Sequence, residues 1–186
     1  MKPTVYFTRD LTPAAMLRLY GALGVKLEGK VAVKLHSGEP GNQNFLRPDF
    51  MKPMIDHVGG VIVECNTAYD GGRNTTHAHK ITMERHGWLS AAQVDILDET
   101  DDMELPIPNG RVIQKNFVGA HLAAYDSLLV LSHFKGHPMG GFGGALKNIS
   151  IGIASSRGKQ YIHGAGDMEK FWDADHDSFL EAMADA

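Results

Sequence analysis

Between residues 133 and 147 the chain packs two histidines, two lysines and five glycines into fifteen residues. His133, Lys135, His137 and Lys147 are side chains that move protons, hold anions or ligate metals, and His163 follows sixteen residues after Lys147. Imidazole changes charge near neutrality, which suits it to acid–base work or to binding a divalent metal. Glycines after a strand expose bare backbone N–H groups, and a helix N-terminus beyond them favours negative charge. Tight packing of a strand on a helix would account for one or two of these glycines and for none of the histidines.

Two more polar clusters follow apolar runs. Val31–Leu35 leads into Lys34, His36 and Glu39, and Val61–Val63 leads into Asn66, Asp70 and Arg73. Leu128–Leu131 leads in the same way into the glycine stretch. In an open parallel sheet all strand C-termini share one edge, where ligands bind, so the three clusters are expected to converge. The residue types there suit an anion. Arg73 can grip a carboxylate or phosphate bidentately, Lys34, Lys135 and Lys147 add point charge, and Gly143, Gly144 and Asn148 add dipoles. The plainer readings are a solvated Arg73, an Asp70–Arg73 pair across the loop, and a Lys34 reaching water.

The elements that would position these residues alternate. Val5–Thr8 reads as a strand, and Thr12-Pro13 caps a helix that runs to Gly24. Strands at Val31–Leu35 and Val61–Val63 flank a helix from Pro48 to Gly59. A helix spans Thr75–His86, and Gln93–Leu97 reads as a strand. Asn109-Gly110 signals a tight hairpin, with Pro106 and Pro108 pushing its first arm to an edge. A short helix at His121–Tyr125, a strand at Ser127–Leu131 and a helical tail from Asp167 complete the series. In the tail Phe171, Trp172, Phe179, Leu180 and Met183 are candidates for burial. The expected fold is α/β: an open, mostly parallel sheet with helices on both faces and an antiparallel hairpin near residues 103–118. Residues 1–186 form a single domain in this reading, the N-terminal part of a longer protein.

The totals narrow the classes. A net charge of −4, with no basic run and no aromatics interleaved with Lys or Arg, argues against nucleic acid as a partner. No window holds eighteen apolar residues and the N-terminus lacks a signal-peptide core, so the expectation is a cytoplasmic protein without a membrane partner. The single Cys65 cannot supply the four thiolates of an iron–sulfur cluster, and its place at a strand end reads as a buried inert thiol. Known phosphate and dinucleotide loops are absent: Leu146 precedes Lys147 and Asn148 follows it, and Leu146 stands where a third glycine would fall.

The segments KLHSGEPGN, NTAYDGGRNTTHAH and FKGHPMGGFGGALKNISIGIASSRGK resemble domain of unknown function 362, an uncharacterised prokaryotic family. Many of its members carry a ferredoxin-like cysteine module and continue well past this length. A more distant resemblance is to the nickel-pincer lactate racemase family, through His137, Gly141-Phe142-Gly143-Gly144, Lys147, His163 and Asp70-x-x-Arg73. That likeness implies an anchoring Lys147, an acid/base His137 and a metal ligand at His163, with His121 or His133 as the second acid/base group. Gly143 stands where that family has serine, and Leu146 precedes the lysine.

Three readings follow. The first is an enzyme domain binding a small carboxylate or phosphorylated ligand, with His137 and Lys147 catalytic and Lys34 and Arg73 orienting. Its cofactor would be a divalent metal, nickel or iron, on His163 and His133. The second is a non-catalytic module of an iron–sulfur redox protein, partnered by a ferredoxin-like domain whose cysteines lie outside this chain. The third is phosphate or nucleotide binding without redox chemistry.

Overall fold

The computed structural model describes residues 2–186. Its centre is a four-stranded, wholly parallel sheet of β1 (Val31–Lys34), β2 (Val61–Glu64), β3 (Val94–Ile96) and β6 (Ser127–Val130), in the order β3-β2-β1-β6. β1 and β2 are buried along their whole length, which is why they read as continuous apolar runs rather than alternating ones. The α/β expectation therefore holds.

Helices α1 (Pro13–Leu23), α2 (Pro48–Val58), α3 (Thr76–Arg85) and α4 (Trp88–Ala91) close one face of the sheet. Met51, Ile55, Met83 and Trp88 pack there on Val31, Val33, Ile62 and Ile96. The helix starts follow local chemistry. Thr12 and Thr75 accept N–H groups from Ala15 and Ala78, and Pro13 and Pro48 occupy first-turn positions where no donor is needed. On the opposite face Ala32, Val63, Cys65 and Leu97 are covered by Leu122 of a 3₁₀ helix, Ala120–Ala124, and by Tyr125, which caps it.

A second core lies beyond that face. The antiparallel pair β4 (Asp102–Pro106) and β5 (Lys115–Gly119) joins it to the rest. Ile113, Ile151, Ile162, Phe179 and Met183 meet there, drawn from α6 (Ser156–His163), α7 (His176–Asp185) and the intervening loops. Between β6 and α6 the chain forms a small hairpin, β7 (Lys135–His137) with β8 (Gly141–Gly143), and a five-residue helix, α5 (Ala145–Ile149).

Several expectations are corrected. Val5–Thr8 forms no strand: no sheet edge takes its backbone groups, and Val5 and Phe7 stay 84% and 80% exposed. The hairpin near 103–118 is present, but its connection spans 107–114 rather than the two residues Asn109-Gly110. Ile113 is drawn into the second core, where Asp185 accepts the Val112 and Ile113 N–H groups at 2.7 and 3.1 Å. The glycine stretch is a hairpin plus a short helix rather than one turn. In the tail Phe179 and Met183 are buried, while Trp172 is exposed. Among the described residues no helix is long and apolar enough to cross a membrane.

Trp88 is fully buried and donates its indole N–H to the Ser37 carbonyl at 2.9 Å, tying α4 to the chain leaving β1. Trp88→Ala is expected to cost about 3–5 kcal/mol in denaturant unfolding, whereas Phe7→Ser stays within about 0.5 kcal/mol. Equal effects of the two substitutions would contradict this packing.

Candidate functional site

In the sheet order β3-β2-β1-β6 the chain leaves β1 toward β2 on one side, while β6 lies on the other. Such a reversal opens a crevice at the strand C-termini. A cavity of about 460 Å³ lies there, and all three polar clusters reach it. Lys34, His36 and Arg73 line it from the β1 and β2 ends. His133, Lys135, His137, Gly143, Gly144, Lys147, Asn148 and His163 line it from the segments after β6. Asn66 and Asp70 do not. Asn66 donates to Thr76 Oγ1 and faces His79 Nδ1, and Asp70 accepts from Asn74 on the surface. His121 lies elsewhere, between Asp95 Oδ1 at 2.8 Å and Thr100 Oγ1 at 3.1 Å.

The floor of the cavity is a buried ion network centred on Glu64, at the last position of β2. Its Oε2 faces Arg73 at 3.3 Å and Lys34 at 3.9 Å, and its Oε1 accepts the Ser37 N–H at 2.6 Å. Burial alone would raise the Glu64 carboxyl pKa, yet Lys34, Arg73 and the nearby His79 ring, its Nε2 3.9 Å from Oε1, hold it well below the usual carboxylate range. Lys34 spends its remaining donors on the Leu35 carbonyl at 2.6 Å and Asn148 Oδ1 at 2.9 Å. Arg73, only 5% exposed, places its other terminal nitrogen 3.0 Å from Glu39 rather than on Asp70. His36 accepts the Gly38 N–H on Nδ1 and turns Nε2 toward Glu39 at 3.5 Å. These groups bind one another. Arg73 Nε is the guanidinium donor left without a partner among the described residues.

Asn148 joins this floor to the glycine segment. Its amide donates to the Lys34 carbonyl and to Ser132 Oγ, while its oxygen accepts from Lys34. The approach is tight enough that a Cβ on Gly152 would lie 2.0 Å from the Asn148 carbonyl oxygen and 3.0 Å from Lys34 Cε. Lys147 is thereby held over the cavity.

The uncommitted groups are Lys147, Lys135, His137 and His163. Lys147 has no hydrogen-bond or ion-pair partner among the described residues. Burial first, then the charges of Lys135, Lys159 and Arg73, lower its pKa to about 8. Lys135 reaches only the Gly136 carbonyl, at 3.4 Å. His137 accepts the Met139 and Gly140 N–H groups on Nδ1, at 3.2 and 3.1 Å. Its proton therefore sits on Nε2 when the ring is neutral. Partial burial, then Lys147 and Lys135, lowers its pKa to about 4. His163 has the opposite tautomer: Nδ1 donates to the Lys159 carbonyl at 2.7 Å, leaving the Nε2 lone pair free, and burial keeps the ring neutral. Phe171, Phe179 and Trp172 surround this ring.

Two amides of the glycine segment are spent on His137, so the hairpin orients a histidine where a phosphate cradle was expected. Sequence reasoning missed Glu64, Lys159 and Trp172. A lone acid closing an apolar strand was the available signal for Glu64. Lys159 is buried and bonded to the Ala154 carbonyl. Cys65 also lines the cavity as a buried thiol donating to the Ile153 carbonyl, its pKa pushed up to about 12 by burial. His133 and His163 both face the cavity. Among the described residues, however, no group of three or more His, Cys, Asp or Glu side chains is placed to hold a metal ion. Protein donors for a closed coordination sphere are not assembled.

The family model described as Domain of unknown function (DUF362) matches residues 31–186. The chain belongs to that family. No curated protein and no solved structure matches it, so the likeness to nickel-pincer lactate racemases gains nothing from the comparisons.

Removing the Glu64 charge strands two buried cations. Glu64→Gln is expected to cost about 3–5 kcal/mol at pH 7. Because the folded carboxyl titrates below its unfolded value of 4.5, its contribution is present above that pH and is lost as pH falls further. Denaturant unfolding at about pH 7 and about pH 4 checks both statements. An unchanged midpoint at pH 7 would remove Glu64 from the centre of the site.

Proposed function

We propose that the cavity binds a small anionic ligand, a carboxylate or phosphorylated compound, at the C-terminal edge of the sheet. One observation carries this reading. Five cationic side chains (Lys34, Arg73, Lys135, Lys147 and Lys159) face the cavity against two carboxylates, Glu39 and Glu64, in a chain whose net charge is −4. An excess of positive charge in a partly dry concavity is balanced most directly by an anion. Lys147 is its principal contact, with Lys135 at the rim. Lys34 and Arg73 act mainly through the field of the floor, since Lys34 Nζ and both terminal nitrogens of Arg73 already face acceptors.

The two imidazoles give this site a proton donor and a proton acceptor. His137 presents Nε2–H as a neutral hydrogen-bond donor, suited to a developing oxyanion. His163 presents a free Nε2 lone pair as the base. This division makes His137 the donor and gives the base role to His163, expected from the sequence as a metal ligand. The aromatic wall around His163 would limit water access to that base.

Calorimetric titration with malonate and with inorganic phosphate tests the reading. Lys147→Ala is expected to weaken binding about ten- to a hundredfold, as loss of a charged hydrogen bond does. The ammonium form is the binding form, so malonate affinity stays level up to about pH 8 and then falls by up to about tenfold per unit. Affinity that ignores both the substitution and the pH would sink the proposal.

A further inference from the structure

We propose that Lys147 is a nucleophile that forms an imine with a small aldehyde or ketone carrying a carboxylate or phosphate. The inference rests on the anion-binding reading and adds a covalent step to it. It begins from a contrast among the cavity's lysines. Lys34 is hydrogen-bonded to two acceptors and ion-paired with Glu64, and Lys159 is bonded to the Ala154 carbonyl. Lys135 is exposed at the rim. Lys147 alone among them lines the cavity with its amine unspent. Burial and neighbouring cations leave about a tenth of it as free amine at pH 7, which is the condition lysine nucleophiles need.

The neighbours complete the chemistry. Asn148 fixes α5 to β1 by bonds to Lys34 and to Ser132, so the adjacent Lys147 backbone has a defined position. His137 Nε2–H is a donor for the oxygen of the tetrahedral adduct, and its charge neutrality keeps it from competing for the anion. His163 Nε2 accepts the proton that the nitrogen must shed. The amine lone pair adds to the carbonyl carbon, and the C=O π pair moves to oxygen. Protons from the original ammonium then pass to that oxygen through His163. The C–O bond breaks and the C=N bond forms. An ammonium and a carbonyl become an iminium and water, with no oxidant or reductant required. The ligand's carboxylate or phosphate lies against Lys135 and the positive field of the floor.

The test uses the full chain with glyoxylate in one arm and glyceraldehyde 3-phosphate in the other, each followed by borohydride, which reduces an iminium to a stable secondary amine. Intact mass should rise by the mass of the ligand less one oxygen, once per chain, and peptide mapping should place the adduct on Lys147. The arm that labels more strongly identifies the anionic group. Lys147→Arg keeps a cation at this position but has no nucleophilic amine, so it should lose the adduct at least tenfold while its melting behaviour confirms that it folds. Trapping should rise toward about pH 8 while malonate affinity declines beyond it, because the amine reacts and the ammonium binds. Malonate binding without an adduct, or an adduct that spreads over other lysines or persists in Lys147→Arg, overturns the imine and spares the anion site. Failure of malonate, phosphate and both carbonyl compounds to bind removes the anion reading and the imine with it.

Discussion

The structure depends on one carboxylate. Glu64 sits where β2 ends, 3% exposed, and holds groups from three separate parts of the chain: Lys34 from β1, the Ser37 N–H beyond it, and Arg73 from the loop after β2. Taking any one of these charges out of water costs several kcal/mol unless it is paired and hydrogen-bonded. Two cations and one anion buried together do not balance, and the second carboxylate, Glu39, stands half exposed beyond Arg73. The arrangement is stable only as a unit. It sets the relative heights of the β1 and β2 ends and, through Asn148, the position of the glycine segment.

That unit leaves a positive excess, which adds to burial in setting the state of the free groups. Lys147 faces a floor whose carboxylates are already engaged, so its proton meets burial first and then repulsion from neighbouring cations. His137 feels the same field and stays neutral, its Nδ1 fixed by the two amides of the hairpin turn. His163 is likewise neutral mainly through burial, here among aromatics, and its carbonyl bond selects the other tautomer. Two uncharged imidazoles of opposite polarity thus line one cavity. Which nitrogen carries the proton is decided by backbone atoms two to four residues away, since Met139, Gly140 and Lys159 supply the partners.

Much of this was legible in the residues, and the division is physical. β1, β2 and β6 announce themselves as apolar runs, and the rule that parallel strands end at a common edge is enough to bring Lys34, Arg73, His137 and Lys147 together. Helix starts at Pro13 and Pro48 follow from local capping. What the pattern does not carry is partner choice. Arg73 is spaced for Asp70, yet it turns inward to Glu64 and Glu39 because a buried carboxylate gains more from it than a surface one. Val5–Thr8 has the composition of a strand but no edge to pair with, and pairing is a property of the whole sheet. Asn109-Gly110 has the signature of a two-residue turn, and the pull of the second core on Ile113 overrides it.

Lys34 and Lys147 make the same point at the level of chemistry. Both line the cavity, and burial lowers both to a pKa of about 8. Titration alone would rank them equally as functional lysines. Their partners separate them. Lys34 has two hydrogen bonds and an ion pair with Glu64, so a ligand reaching it would disturb contacts that hold β1, β2 and α5 together. Lys147 has none to break, and the free energy of a new contact there is not offset by the loss of an old one. A perturbed lysine is structural when its hydrogen bonds are complete and available when they are not. By that criterion the residue three places after Gly144 is the available one, and the lysine at the end of β1 belongs to the scaffold.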